Sequence, residues 1–206
     1  MTVESKPAMP ESQQPVSNIV GEKVALGPIR RDLTELFQVW ANDFEVRRFE
    51  GLAMPRSLES IEDLFPRIIK DENQAYFVVY EKTQLRPIGN AGLADIDHTH
   101  RTAEFFIVIG DKESWGKGYG TEVTRLMLEY GFTCLGLHNI YLWVFANNER
   151  GVRAYRRAGF KMAGLQRQAK WKGGRAYDLV LMDCLATEFE GGALSHLLPE
   201  SLEAKE

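Results

Sequence analysis

A chain of 206 residues, 44% hydrophobic and 26% charged, is long enough for one domain with a real core. Its formal net charge of -4 excludes a general electrostatic attraction to nucleic acid or an anionic membrane, and no apolar run approaches the length of a bilayer span, so neither partner is expected. Cys134 and Cys184 stand far apart in apolar segments with no C-x-x-C or Cys/His cluster, and no signal-peptide pattern opens the chain; buried thiols, no metal and a cytoplasmic protein are predicted.

Residues 1 to 20, rich in Pro, Ser, Gln and Glu, lack periodicity and read as a disordered leader. Residues 21 to 187 carry the regular pattern of a single domain, and an acidic, loosely held tail is expected over 188 to 206. Lys23 to Ile29 predicts a strand, and Asp32 to Ala41 a helix with Leu33, Leu36, Phe37 and Trp40 on its apolar face. The mixed segment Asn42 to Arg56, with Phe44, Val46, Phe49, Leu52 and Met54 among charges, is a candidate pocket lining. Ser57 starts a second helix through Ile69, with a kink expected at Pro66.

Ala75 to Glu81, Pro87 to Ile96 and Thr102 to Ile109 predict an antiparallel meander. After Gly110 come Gly116, Gly118 and Gly120, and then a helix in which Val123, Leu126, Met127, Tyr130 and Cys134 share a face. Thr121, Glu122, Thr124, Arg125 and Glu129 fall between them and are expected in water. Asn139 to Phe145 is apolar on both sides and predicts a central strand. Asn147 or Asn148 caps a further helix that Gly159 ends, and Gly164 to Trp171 and Arg175 to Leu185 form a hairpin around Gly173 and Gly174.

Glycines at a helix N-terminus admit a bulky anion to unpaired N–H groups at the positive end of the helix dipole. The spelling fits neither the Walker loop, which needs Lys and Ser or Thr after its last Gly, nor the G-x-G-x-x-G dinucleotide fingerprint. A tight connection that merely happens to be glycine-rich is the competing reading, and spacing alone does not choose.

WGKGYGTE, followed by NNERGVRAYRRAGF and a hairpin ending in YDLVLM, resembles the GNAT superfamily of N-acetyltransferases, and within it the ribosomal-protein N-acetyltransferase branch. The likeness covers roughly residues 20 to 187 and keeps the family's order of elements. It implies an α/β (α+β) domain: a mixed, mostly antiparallel sheet with a splayed strand pair and helices on both faces. It also implies acetyl-CoA as co-substrate and an amine acceptor, a protein N-terminus first and a polyamine, aminoglycoside or other small amine next. A non-catalytic acyl-CoA-binding module is the rival class, and a monomer or homodimer is expected. By the same resemblance the coenzyme's pyrophosphate lies on Trp115, Gly116, Lys117, Gly118, Gly120 and Thr121, and its pantetheine against the backbone of Ile107, Val108 and Ile109. Asn148 matches the family's pantetheine-contacting Asn, and Tyr155 the Tyr assigned as general acid. Trp115 replaces the polar residue that usually opens the loop, and Gly151 replaces the usual Ala.

Transfer from a thioester to an amine needs a neutral nucleophile, and an amine with a pKa near 10.4 is neutral in only about one molecule in a thousand at pH 7. Glu104 is the candidate base because it stands in an otherwise apolar strand that leads into the cofactor wedge, with Asp95 and Asp97 as further candidates. A backbone N–H near Val108 is the candidate oxyanion donor. His98, His100 and His138 read as surface and packing residues, and Arg150, Arg153, Arg156 and Arg157 first as a solvated helix face and second as a contact for the coenzyme's phosphates. Trp171 and Lys172 are placed on the hairpin beside the acceptor site.

Overall fold

A computed structural model describes residues 14–50, 54–192 and 194. One sheet contains β1 (Ile19–Val20), β2 (Val24–Pro28), β3 (Ala75–Glu81), β4 (Arg86–Asp97), β5 (Thr102–Ile109), β6 (Asn139–Phe145), β7 (Lys161–Lys172) and β8 (Arg175–Leu185). Their order is β1-β2-β3-β4-β5-β6-β8-β7. Neighbours are antiparallel except β5 with β6, which are joined by a crossover through α4 (Tyr119–Thr133). A parallel pair requires such a crossover, because a tight turn returns the chain antiparallel.

Helices cover both faces. The short strand β3 shows the division: Phe77 and Val79 enter a larger core with Val123, Leu126 and Met127 of α4, whereas Val78 and Tyr80 enter a smaller one. The smaller core is closed by Phe37 and Trp40 of α1 (Thr34–Asn42), Ile61 of α2 (Leu58–Glu62) and Phe65 of α3 (Leu64–Lys70). The period of two along the strand thus assigns each helix its face.

The kink expected at Pro66 falls earlier, as a break at Asp63 between α2 and α3. A proline ring collides with the carbonyl four residues back, and here that residue is Glu62, the last of α2. Pro66 itself sits in the first turn of α3, where no N–H is needed. Ser57 does cap α2, its Oγ accepting the Ser60 N–H at 3.2 Å. The hairpin turn holds Gly173 and Gly174 both at positive φ (57° and 74°) between β7 and β8.

Strand β6 is interior, between β5 and β8, but its two faces differ: Ile140, Leu142 and Val144 are buried on one, while on the other Phe145 is buried and Trp143 is exposed. Cys184 is buried, whereas Cys134, expected inside, is exposed. Strand β1 lies within the stretch read as leader, with Ile19 buried against the larger core. Leu52 falls outside the described residues.

Thr124 and Glu129 of α4, expected in water, are buried. The helix has a second covered side because the segment after β8 returns across it. Glu129 Oε1 accepts the backbone N–H groups of Gly192 and Leu194, both at 2.7 Å. Arg125 Nη2 donates to the Glu190 carbonyl, and its guanidinium lies over the Phe189 ring. Leu194 is buried in the main core, so the first residues of the expected loose tail are packed. A buried carboxylate is tolerated only when hydrogen bonds replace its lost hydration. Glu129→Ala is expected to lower unfolding free energy by about 3 kcal/mol, since charge-assisted bonds are lost and two N–H groups are orphaned. An unchanged denaturant midpoint would refute this anchoring.

Candidate active site

Strands β5 and β6 pair only from Thr102 with Asn139 to Glu104 with Tyr141. Beyond that point β5 stays bonded to β4 and β6 to β8, while the two drift apart from each other. The sheet therefore splits. The opening is a cleft of about 700 Å³ bounded by the separated strand ends, the loop before α4 and the helix α5 (Glu149–Ala158).

Ile107, Val108 and Ile109 line one wall, and Trp115, Gly116, Gly118, Gly120 and Thr121 line the end beyond it. Asn148, Tyr155 and Glu104 also border the cleft. Lys117 does not; it is exposed outside the lining.

The glycines meet separate needs. Gly116 and Gly118 adopt φ of 78° and 86°, and Gly118 stands at the N-terminus of α4. Gly120 has ordinary helical backbone, but the place its Cβ would take is open space. The first intrahelical bond runs from Glu122 N–H to the Gly118 carbonyl, and no side chain caps the helix. The N–H groups of Tyr119, Gly120 and Thr121 accordingly have no acceptor within the helix. Arg150, Arg153 and Arg157, read as a solvated face, border the same cleft. Clearance, free donors and positive charge fit a phosphate-bearing ligand.

Trp115 fastens this loop to the strand. Its Nε1–H donates to the Ile109 carbonyl at 2.8 Å, and the Arg150 guanidinium lies 4.5 Å from its ring centroid. The Ile109 carbonyl is therefore already engaged. Asn148 caps α5, its Oδ1 accepting the Gly151 N–H at 3.1 Å. A Cβ on Gly151 would stand 2.6 Å from Asn148 Nδ2. The small residue at 151 is what lets this amide fold over the helix end.

Tyr155 packs edge-on to Phe105, with ring centroids 6.2 Å apart. Burial pushes its hydroxyl pKa up to about 12, with Arg150 opposing. Glu104 is half-buried on the opposite face of β5 from Phe105, as strand alternation requires. The cleft thus passes through the split, with Tyr155 above the Phe105 face and Glu104 below it. Burial raises the Glu104 carboxyl above its usual range, Asp95 raises it further, and Lys170 opposes. Asp95 stands at φ 50° in the irregular register between Ala94 and Asp97, an uncommon conformation that Asp tolerates better than most residues. Asp97 is committed elsewhere: its Oδ1 accepts the N–H groups of Thr99 and His100 at 2.8 and 2.7 Å. The His100 bond leads in holding it below the usual carboxylate range.

The far wall comes from the turn between α1 and α2, where Glu45, Val46, Arg48, Phe49 and Glu50 face the cleft. Mixed composition had marked this stretch, but no spacing assigned its individual residues. Among the described residues no group of three or more His, Cys, Asp or Glu side chains is placed to hold a metal, and no helix is long and apolar enough to cross a membrane.

Residues 23–161 match the family described as "Acetyltransferase (GNAT) domain". The spermidine N(1)-acetyltransferase of Escherichia coli (strain K12) is 33% identical over 141 residues, 68% of this chain and 74% of the relative. That of Vibrio cholerae is 35% identical over 133 residues, 65% of this chain and 76% of the relative. The crystal structure of spermidine N-acetyltransferase from Vibrio cholerae in complex with CoA and spermine superposes with a TM-score of 0.76 at 30% identity, covering 81% of this chain and 97% of that one. The likeness thus leads to spermidine enzymes, where the motifs had suggested the ribosomal-protein branch.

Gly118→Val is expected to raise the Kd for coenzyme A at least tenfold, since a β-branched residue resists the φ of 86° that turns the loop into α4. Calorimetric titration of the folded variant checks it, and unchanged affinity would remove the loop from the coenzyme site.

Proposed function

This chain belongs to the GNAT acetyltransferase family and is an acetyl-CoA-dependent N-acetyltransferase, and from that premise we propose that its acceptor is a primary amine of a polyamine of the spermidine class. The protein N-terminus favoured by the motifs gives way to this small-molecule reading, which the relatives support. The observation that carries it is the Glu104 and Asp95 pair. The Asp95 charge acts on the Glu104 carboxyl, both act on the Tyr141 hydroxyl, and neither has an ion-pair partner among the described residues. Lys170 offsets only part of this charge, and the excess negative charge of the pair suits a substrate with several ammonium groups, one to be deprotonated and another to stay charged. Tyr141 and Trp143 follow Glu104 on the same face, and aromatic faces favour cations.

In this reading acetyl-CoA lies with its pyrophosphate over Gly116 to Thr121 and its pantetheine along Ile107 and Val108, reaching Asn148. The Val108 N–H is assigned to the oxyanion. The amine arrives from the Glu104 face, and Glu104 removes its proton directly or through water as nitrogen attacks the thioester carbon. The C–S bond then breaks, and the coenzyme leaves as thiolate. Tyr155 faces that sulfur with a fully protonated hydroxyl. With a pKa near 12 against about 8.5 for an alkyl thiol, complete proton transfer is uphill by about 3.5 units. Its role is therefore a hydrogen bond to the departing sulfur, worth less than a matched general acid.

Free-thiol release with spermidine, spermine and peptides bearing free N-termini tests the acceptor. The expected kcat/KM for spermidine exceeds that for the best peptide by about 100-fold, a difference of about 2.7 kcal/mol in transition-state binding; preference for a peptide would overturn the assignment.

Glu104→Gln is expected to lower kcat/KM with a deficit that shrinks as pH approaches the amine's own pKa, whereas the smaller deficit of Tyr155→Phe, a lost hydrogen bond, stays constant through the thiol pKa because the wild-type hydroxyl remains protonated there. Stability moves the other way at position 104. Its folded-state pKa is raised, so the native state holds a proton that the unfolded state has lost, and wild-type stability falls as pH rises through that window. Glu104→Gln lacks this loss and should melt higher at neutral pH, with the difference vanishing below the usual Glu pKa. A rate deficit constant across pH would remove Glu104 as base.

A further inference from the structure

The turn of residues 43–50 has no strand partner, yet it forms a wall of the cleft. Its start is capped within itself, Asp43 Oδ1 accepting the N–H groups of Glu45 and Val46 at 2.8 and 3.2 Å. Lys112, from the segment after β5, grips that end by reaching Asp43 at 2.8 Å and Glu45 at 3.2 Å. The other end is held from much farther along the chain. Lys172, the last residue of β7, donates to the carbonyls of Arg47, Arg48 and Glu50 at 3.2, 2.9 and 3.2 Å. An ammonium has three donors, and here they meet three carbonyls at the C-terminal end of the turn, where the Arg47 carbonyl also accepts the Glu50 N–H at 3.0 Å.

Between these grips the turn presents Phe49 and Glu50 to the cleft. Phe49 packs against Phe145 at 6.2 Å between centroids, with the Arg48 guanidinium 4.8 Å from its own ring centroid. Arg47 Nη2 pairs with Glu50 at 2.7 Å. Burial raises the Glu50 carboxyl against the pull of Arg47 and Lys172, and Glu50 lies within electrostatic reach of Tyr76. Tyr76 packs on Phe106, which shares the Glu104 face of β5. The turn is therefore part of the face from which the amine approaches, while Lys172 itself does not line the cleft.

We propose that Lys172 is a positioning residue for the amine acceptor: by capping the 43–50 turn from the tip of the β7–β8 hairpin, it fixes Phe49 and Glu50 as the acceptor wall. The inference rests on the reading of the Glu104 face as the acceptor side. It makes the hairpin a determinant of acceptor affinity without contact to either substrate. Lysine suits the place because its three donors diverge from one atom; the planar guanidinium of arginine cannot aim at three carbonyls around one point.

The full chain with Lys172→Met and Lys172→Arg tests it by two readouts. Trypsin cleaves after Arg47 and Arg48, so release of the cap should speed cutting there about tenfold or more in Lys172→Met, with cutting at Arg156 and Arg157 unchanged. In kinetics with whichever amine the acceptor panel selects, the amine KM should rise about tenfold, with kcat and the acetyl-CoA KM within about twofold. Lys172→Arg, which keeps the charge and part of the bonding, should fold and give intermediate values in both. Unchanged cleavage overturns the cap. Faster cleavage with an unchanged amine KM, or an equal rise in the acetyl-CoA KM, overturns the assignment to the acceptor. A failure of spermidine as substrate leaves the cleavage result standing, so the two readings fail separately.

Discussion

The loss of pairing between β5 and β6 after Glu104 and Tyr141 is the constraint on which the site depends. A central strand with one unbonded side is costly, since each buried amide group left unpaired costs about 1–3 kcal/mol. The split is sustained because both strands keep their other neighbours, β4 and β8, along their whole lengths. The segment leaving each strand then falls at the mouth of the opening. From β5 the chain becomes the glycine loop and α4; from β6 it becomes the Asn148 cap and α5. Two motifs separated in sequence meet because two adjacent strands end side by side but apart.

The opening is also polarised. Arg150, Arg153 and Arg157 and the free N–H groups of α4 make one end positive, suited to the coenzyme's phosphates. Glu104 and Asp95, held near one another with Lys170 offsetting only part of their charge, make the other end negative. The same geometry that raises the Glu104 pKa brings it closer to the pKa of the amine it is proposed to deprotonate, and it leaves the protein less stable than a neutral residue would. Burial that opposes folding and favours proton transfer is the compromise expected where chemistry is done.

Several side chains serve as fasteners. Trp115 takes the position of a polar residue in the family pattern, and its indole bonds the loop to β5 while stacking under Arg150. Gly151 replaces an alanine and so leaves room for the Asn148 amide. Glu129 ties the segment after β8 onto the helix that begins at the glycine loop. Departures from family spelling are here local adjustments that keep the loop and both helix ends in place.

Sequence by itself determined the elements and the glycine loop that borders the cleft. Apolar periodicity set β3, β4, β5, β6 and α4 to within a residue or two, because burial on one side imposes a repeat that is local in the chain. Glycine spacing followed by a helical pattern located the loop, and Asn148 and Gly159 marked the ends of α5 for equally local reasons. Tertiary structure alone decided the rest. Glu129 looked solvent-facing because periodicity records one buried stripe, whereas its second cover arrives from residues 189–194. Asp97 and Asp95 were equal candidates until backbone N–H groups claimed the first and left the second beside Glu104. The wall at residues 43–50 was marked by its mixed composition, but what holds it was not, because its cap, Lys172, lies more than 120 positions away. A charge and the carbonyls that satisfy it leave no mark on the local pattern when the fold brings them together from distant parts of the chain.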